Sequence, residues 1–233
     1  MPSAVGRWPG TPRPSDGAAH PMTTHVIWDW NGTLFDDVQV CLDSINQVLD
    51  EFSLPALADV AAYQQVFRFP IADYYADLGF EMGPGGNFDA AAHRFIEVYH
   101  ARSEACALHE GATDVLELLA EQGLRQVVIS ASEQGNLDRQ LRPFALDRWL
   151  DDARGIADIY ARSKEHLVRS YVEQVGGPAA VVMIGDTEHD HEIAQSVGVR
   201  CLLVAKGHHT AAHLATLGSP VLTHVGEVPG LLA

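Results

Sequence analysis

Positive charge is scarce in this chain. Fifteen Lys and Arg face 31 Asp and Glu, for a formal charge of −16, and only two of the bases, Lys164 and Lys206, are lysines. Such a surface repels nucleic acid and anionic membranes, which excludes binding through a basic patch. It repels phosphorylated small molecules as well, so an anion site here has to be local, built around a metal or one of the few cations. Cysteine is sparse too. Cys41, Cys106 and Cys201 are odd in number, widely spaced and without metal-ligand spacing, and they read as free thiols of a reducing cytoplasm. Long apolar runs are missing: nothing approaches the roughly 20 residues that span a bilayer. Residues 1–21, rich in Pro and Gly, lack the apolar core of a signal peptide and read as a disordered tail, with Met22 as an alternative biological start.

What is present is a core-forming pattern. At 233 residues and 47% hydrophobic content, the chain can bury one ordinary domain plus an insertion. Short apolar runs recur at 24–29 (THVIWD), 126–130 (QVVIS), 181–185 (VVMIG) and 200–205 (RCLLVA), with a further edge strand at 221–224. Runs apolar throughout suit strands buried on both faces of a parallel sheet. Helical periodicity separates them at 111–122, 163–175 and 190–197, with Gly123 and Gly198 placed to end the first and last. The alternation predicts an α/β fold with a doubly wound, Rossmann-like parallel sheet. Between the first two strands lie about ninety residues, too many for a simple crossover. Helices are predicted there at 38–52, 59–79 and 88–107, with a turn at 83–86, so 38–108 reads as an inserted helical cap subdomain. The core is then 22–37 with 109–233. An insertion after the first strand sits over the carboxyl end of the sheet, where open α/β sheets bind ligands.

Chemistry-bearing residues fall at four strand or helix boundaries. Asp29-Trp30-Asn31-Gly32-Thr33 follows the first strand, with a Gly-Thr turn whose amides can form an anion-binding nest. Ser130 ends the second strand, Lys164 opens a helix after Ser163, and Gly185-Asp186-Thr187-Glu188-His189-Asp190 places two carboxylates four apart after a third. Singly, each has a bland reading: a turn or capping aspartate, a turn serine, a solvated lysine, a capping pair at a helix start. In this order, each at an element end and around one large insertion, they read together as a site.

That combination resembles the haloacid dehalogenase-like superfamily, in its helical-cap branch with phosphoglycolate phosphatase and β-phosphoglucomutase. The resemblance covers residue 24 to the C-terminus. It implies a Mg²⁺-dependent hydrolase of a small soluble phosphomonoester, with Asp29 as a transiently phosphorylated nucleophile. Asp29, the Asn31 carbonyl, Asp186 and Asp190 would be Mg²⁺ ligands, while Thr33, Ser130 and Lys164 would hold the phosphoryl group. Two negative groups a few ångströms apart repel by several kcal/mol at an effective dielectric near 20, so such chemistry needs a cation between them. The departure is Asn31. The family's motif is DxDxT, and its second Asp carries the proton of the leaving group, which an amide cannot do. A substitute from Glu188, His189 or water, a slow enzyme, or a phosphate- or nucleotide-sensing binding protein are the alternatives this leaves. Schiff-base chemistry needs a cap lysine, and the cap has none; dehalogenase chemistry does not require the Asp186/Asp190 pair; a mutase also needs the missing carrier. Arg68, in a Phe-Arg-Phe-Pro segment of the cap, is a candidate for the far end of an anionic substrate. His189, His191, His208, His209 and His213 lack zinc spacing beside cysteines and read as a solvated helix face and loop.

Overall fold

Strands buried on both faces build the centre of the molecule. A computed structural model describes residues 23–161 and 163–232, so the expected tail and the start at Met22 lie outside the described residues. In chain order the elements are β1 (His25–Trp28), β2 (Phe35–Asp36), α1 (Val38–Glu51), α2 (Val60–Val66), α3 (Ile71–Asp77), α4 (Phe88–Ser103), β3 (Ala107–Leu108), α5 (Ala112–Glu121) and β4 (Arg125–Glu133). There follow α6 (Gln134–Leu141), β5 (Asp152–Ile156), α7 (Glu165–Gln174), β6 (Val181–Gly185), α8 (Glu188–Val197), β7 (Arg200–Val204), α9 (Ala211–Leu214), β8 (Val221–Leu222) and α10 (Pro229–Leu232). Six strands form one parallel sheet in the order β5-β4-β1-β6-β7-β8. β1 lies at its centre, paired with β4 through Trp28↔Val128 and with β6 through Trp28↔Ile184.

Side chains alternate across the sheet, so β1 feeds two cores. Val26 and Trp28 join Leu116, Leu119 and Leu137 on one face, while Ile27 joins Val168, Met183 and Ile193 on the other. Each fully buried aliphatic side chain of this kind contributes about 1.5–3 kcal/mol relative to exposure. Trp28 and Trp30 are fully buried, each indole N–H bonded to a buried glutamine, Gln126 and Gln140.

Between β2 and β3, helices α1–α4 enclose a third core that includes Ile45, Leu49, Tyr63, Tyr74 and Tyr99. β2 and β3 pair antiparallel, Phe35 with Leu108, tying together the two chain segments that enter and leave this insert. The single helix predicted at 59–79 is two helices here. Pro70 cannot donate a backbone hydrogen bond and disfavours helical backbone at Phe69, so α2 ends at Val66 and α3 restarts at Ile71. Asp59 caps α2 by accepting from the Ala62 amide (2.8 Å). The edge strand β5 and helix α6 of the core were not anticipated, nor were the short elements β2, α9 and α10.

Candidate active site

The first turn after β1 is built to put an anion beside a cation in a dry place. The Asp29 amide is held by the Ile184 carbonyl of β6 at 2.8 Å. Asp29 Oδ1 lies 2.5 Å from Lys164 Nζ, and the same ammonium reaches Asp190 Oδ1 at 2.8 Å. Lys164 stands immediately before α7, yet it is 2% exposed, so the solvated reading is overturned. Asp186 accepts from the Thr33 hydroxyl (2.8 Å) and the His208 amide (2.6 Å). Asp190 Oδ2 accepts from the Thr187 amide (3.0 Å) and hydroxyl (2.6 Å) in a capping box at the start of α8. The Asp190 carboxylate therefore caps its helix with one oxygen and pairs with Lys164 through the other.

One ammonium among three buried carboxylates leaves the cluster short of positive charge. Burial raises the Asp29 carboxyl to about 7, with the pull of Lys164 outweighed by burial and by the charges of Asp190 and Asp186. Burial and then Asp190 push Asp186 up to about 8. Burial also opposes ionisation of Asp190, but Lys164 outweighs it and holds this carboxyl below its ordinary range. Oxygens of Asp29, Asp186 and Asp190 lie within 4.8 Å of one another. A set of hard oxygen donors with surplus negative charge fits a small divalent cation. The backbone closes tightly around it. A Cβ on Gly32 or Gly207 would overlap Asp186, one on Gly185 would overlap Asp190, and Gly32 also has φ +74°.

Asn31 sits in a saturated network. Its amide N–H groups donate to Asp37 Oδ2 and to the Tyr99 hydroxyl, both at 2.8 Å, and its Oδ1 accepts from Ser132 Oγ at 2.8 Å. Ser130 Oγ is 3.5 Å from that oxygen and accepts from the Ser132 amide at 3.0 Å. Asp37 in turn accepts from the Gly32 amide (3.0 Å), the Tyr99 hydroxyl (2.5 Å) and Cys41 Sγ (3.6 Å).

Residues 26–204 match the haloacid dehalogenase-like hydrolases. The chain belongs to that family. It is 30% identical over 210 residues to the phosphoglycolate phosphatase of Caulobacter vibrioides, covering 85% of this chain and 86% of that protein. It is 25% identical over 210 residues to the tyrosine-protein kinase PtkA of Mycobacterium tuberculosis, covering 88% of this chain and 70% of that one. Among solved structures, a haloacid dehalogenase-like hydrolase from Streptococcus pneumoniae superposes with a TM-score of 0.78 at 17% identity, over 91% of this chain and 99% of that one.

Within this haloacid dehalogenase-like fold, Asp29, Asn31, Ser130, Lys164 and Asp190 all line one cavity between sheet and insert. Asp186 is fully buried beside them. Thr33 is absent from the lining, because its hydroxyl is turned to Asp186. Arg68 is not brought to the cavity either: it lies on the surface, paired with Asp77 at 2.8 Å. Of the two side chains considered as proton carriers, Glu188 pairs with His213 (3.0 Å) outside the lining. His189 lines it, stacked on Phe69, with a buried Nε2 that has no hydrogen-bond partner among the described residues. The solvated reading of the histidines fails for His189 and for three more. His191, His208 and His209 are buried, bonded to Ser219 Oγ, the Tyr63 hydroxyl and the Phe67 carbonyl respectively. The last two fasten the insert to the loop after β7. Asp37, Tyr99 and Ser132 went unread. The only signal was the Asp36-Asp37 doublet behind the glycine turn, and nothing local says which of the two turns inward.

Proposed function

We propose that this chain is a Mg²⁺-dependent phosphomonoester hydrolase acting through an aspartyl-phosphate on Asp29, with the helical insert at 38–108 as a cap over the catalytic core. The observation that carries the reading is the buried Asp29–Lys164–Asp190 arrangement beside Asp186 at the wall of a single cavity. Asp29, Asp186, Asp190 and the Asn31 carbonyl would hold the metal. Bound there, it would neutralise charge between the attacking carboxylate and the phosphoryl oxygens. Asp29 attacks phosphorus, the ester P–O bond breaks, and the alcohol oxygen leaves with the electron pair and takes a proton. Water then attacks the aspartyl-phosphate, releasing inorganic phosphate and restoring the carboxylate. Lys164 offsets the negative charge throughout, and Ser130 offers a hydroxyl to a phosphoryl oxygen. Asn31 cannot supply the proton; of the two lining histidines with an unpartnered nitrogen, His100 and His189, it is His189 that adjoins Asp190 and feels the charges of Asp190 and Lys164, and it is assigned that role. The relatives named phosphoglycolate phosphatase and pyrophosphatase support phosphoester chemistry.

The saturated bonding of Asn31 favours one second reading, a phosphate-sensing protein with little turnover. Release of inorganic phosphate from a panel of phosphomonoesters, with Mg²⁺ and then with EDTA, separates the two. The expected outcome is Mg²⁺-dependent release that Asp29→Asn abolishes. Absence of release across the panel, with Mg²⁺ present, would promote the binding protein.

A further inference from the structure

On the side of the insert the cavity wall is largely aromatic and aliphatic. Phe67, Phe69, Ile71, Tyr74 and Phe95 of the insert and Ile159 of the core line it. No lysine or arginine joins them: among the described residues, Lys164 is the one such side chain in the lining, and it is engaged by Asp29 and Asp190. Arg68 is held at the surface by Asp77. Arg139 is outside the lining and is engaged by His100, donating to its Nδ1 at 2.9 Å. Since a guanidinium can only donate, that contact makes Nδ1 an acceptor and leaves the proton on Nε2. His100 Nε2 and the Tyr74 hydroxyl are buried without hydrogen-bond partners among the described residues, and both residues belong to the lining. They offer a polar substituent a partner but no formal positive charge. Glu133, also in the lining, accepts from the Gly135 and Asn136 amides and adds negative charge on the core side.

Resting on the phosphomonoesterase reading above, we infer that the substrate is the phosphate ester of an uncharged, apolar alcohol or phenol, not of a small carboxylic acid such as glycolate. A carboxylate carried into this wall would be desolvated with no free cation among the described lining residues to pair it, which costs several kcal/mol. An aromatic or aliphatic group meets ring faces and aliphatic carbons instead. The cavity volume of about 160 Å³ sets the scale. That volume, which must also take the phosphoryl group beside Asp29, is close to the roughly 150 Å³ of an engineered apolar cavity that admits benzene, so the leaving group is no larger than about one ring.

The test reads the cavity independently of turnover. Binding of benzylphosphonate and of phosphonoacetate, neither with a cleavable ester bond, is measured by calorimetry on the Mg²⁺-loaded protein. Benzylphosphonate is expected to bind at least roughly 30-fold more tightly, the order of effect of burying one ring. Ile71→Arg, which adds a guanidinium to the wall, is expected to narrow that ratio by about tenfold or more. Equal or tighter binding of phosphonoacetate by the unaltered protein would overturn the inference. In parallel, kcat/KM is compared for benzyl phosphate and phosphoglycolate, both esters of poor, alcohol leaving groups. Preference for phosphoglycolate would overturn the inference from the side of turnover. Absence of turnover on both, with benzylphosphonate still bound the tighter, would uphold the apolar pocket and sink the hydrolase reading alone.

Discussion

Asn31 has every polar side-chain atom engaged, and its nearest anionic neighbour is Asp37. A carboxylate placed at position 31 would stand 2.8 Å from that one, where the Asn31 Nδ2 to Asp37 Oδ2 contact now lies. Two such charges repel by about 6 kcal/mol at an effective dielectric near 20, or must share a proton. Asn31→Asp alone is therefore expected to lower stability by about 1–3 kcal/mol and to add little turnover. Exchanging the pair, Asn31→Asp with Asp37→Asn, keeps one charge and one amide. The Tyr99 hydroxyl then donates to position 31 and accepts from position 37, while Gln140 still donates to it as it does now at 2.9 Å. The exchanged variant is expected to recover the melting temperature and to exceed the native kcat by about 10–100-fold, within the range of a restored general acid. A single variant faster than the exchanged one would show that Asp37 is no obstacle. The present carrier is tested at the same scale with His189→Asn. If His189 protonates the leaving group, turnover of benzyl phosphate drops about 10²-fold, while turnover of p-nitrophenyl phosphate, whose leaving group needs no proton, changes little. Equal losses on both would assign His189 to binding alone.

At the scale of elements, the strands that could be read were those buried on both faces. β1 and β6 end in consecutive apolar residues and stop at the site residues Asp29 and Asp186, so strand ends and site were legible together. β5 (DARGI) was not, because an edge strand carrying Asp152 and Arg154 has one solvated side and no apolar run. The helix break at Phe67–Pro70 had its signal in Pro70, but the apolar spacing continues across it. Burial of a helix start is the other feature that no local pattern reports. Lys164 precedes α7, a position usually solvated, and the sheet places it between Asp29 and Asp190. Removing one partner of a buried ion group leaves the others uncompensated, a loss of about 3–5 kcal/mol. Lys164→Ala is thus expected to lose both turnover, by about 10²–10³-fold, and several degrees of melting temperature. A variant that melts as the native protein does would mean that the two carboxylates take up protons or water freely, contrary to their burial.

At the scale of the whole molecule, the surplus of acid over base reaches into the centre, where three carboxylates share one ammonium. In the unfolded chain, Asp29 and Asp186 ionise near 3.8; in the folded chain burial raises them to about 7 and about 8. Through the interval up to pH 8 the folded state holds more protons than the unfolded one, so these two groups make stability fall as pH rises. Asp190, held low by Lys164 against its burial, contributes in the opposite sense, but only below its unfolded value of 3.8. Histidines His25, His100, His189 and His209 are lowered from 6.5 chiefly by burial, so they favour stability with rising pH until about one pH unit above that value. Between about pH 7.5 and 8.5 the carboxylates dominate among these groups, and the metal-free protein is expected to melt at progressively lower temperature. Mg²⁺ takes the ionised carboxylates, so its stabilisation must grow over the same interval. At 100 times its Kd it adds about 2.7 kcal/mol, which for a chain of this length is roughly 5–10 °C. Melting curves at about pH 7.5, 8.0 and 8.5, with EDTA and with excess Mg²⁺, check this directly. The expected pattern is two lines that diverge as pH rises, and Asp186→Asn is expected to flatten the metal-free line and bring the two together. Parallel lines would mean that the cation binds away from Asp29 and Asp186, and with that the metal site proposed here would fall.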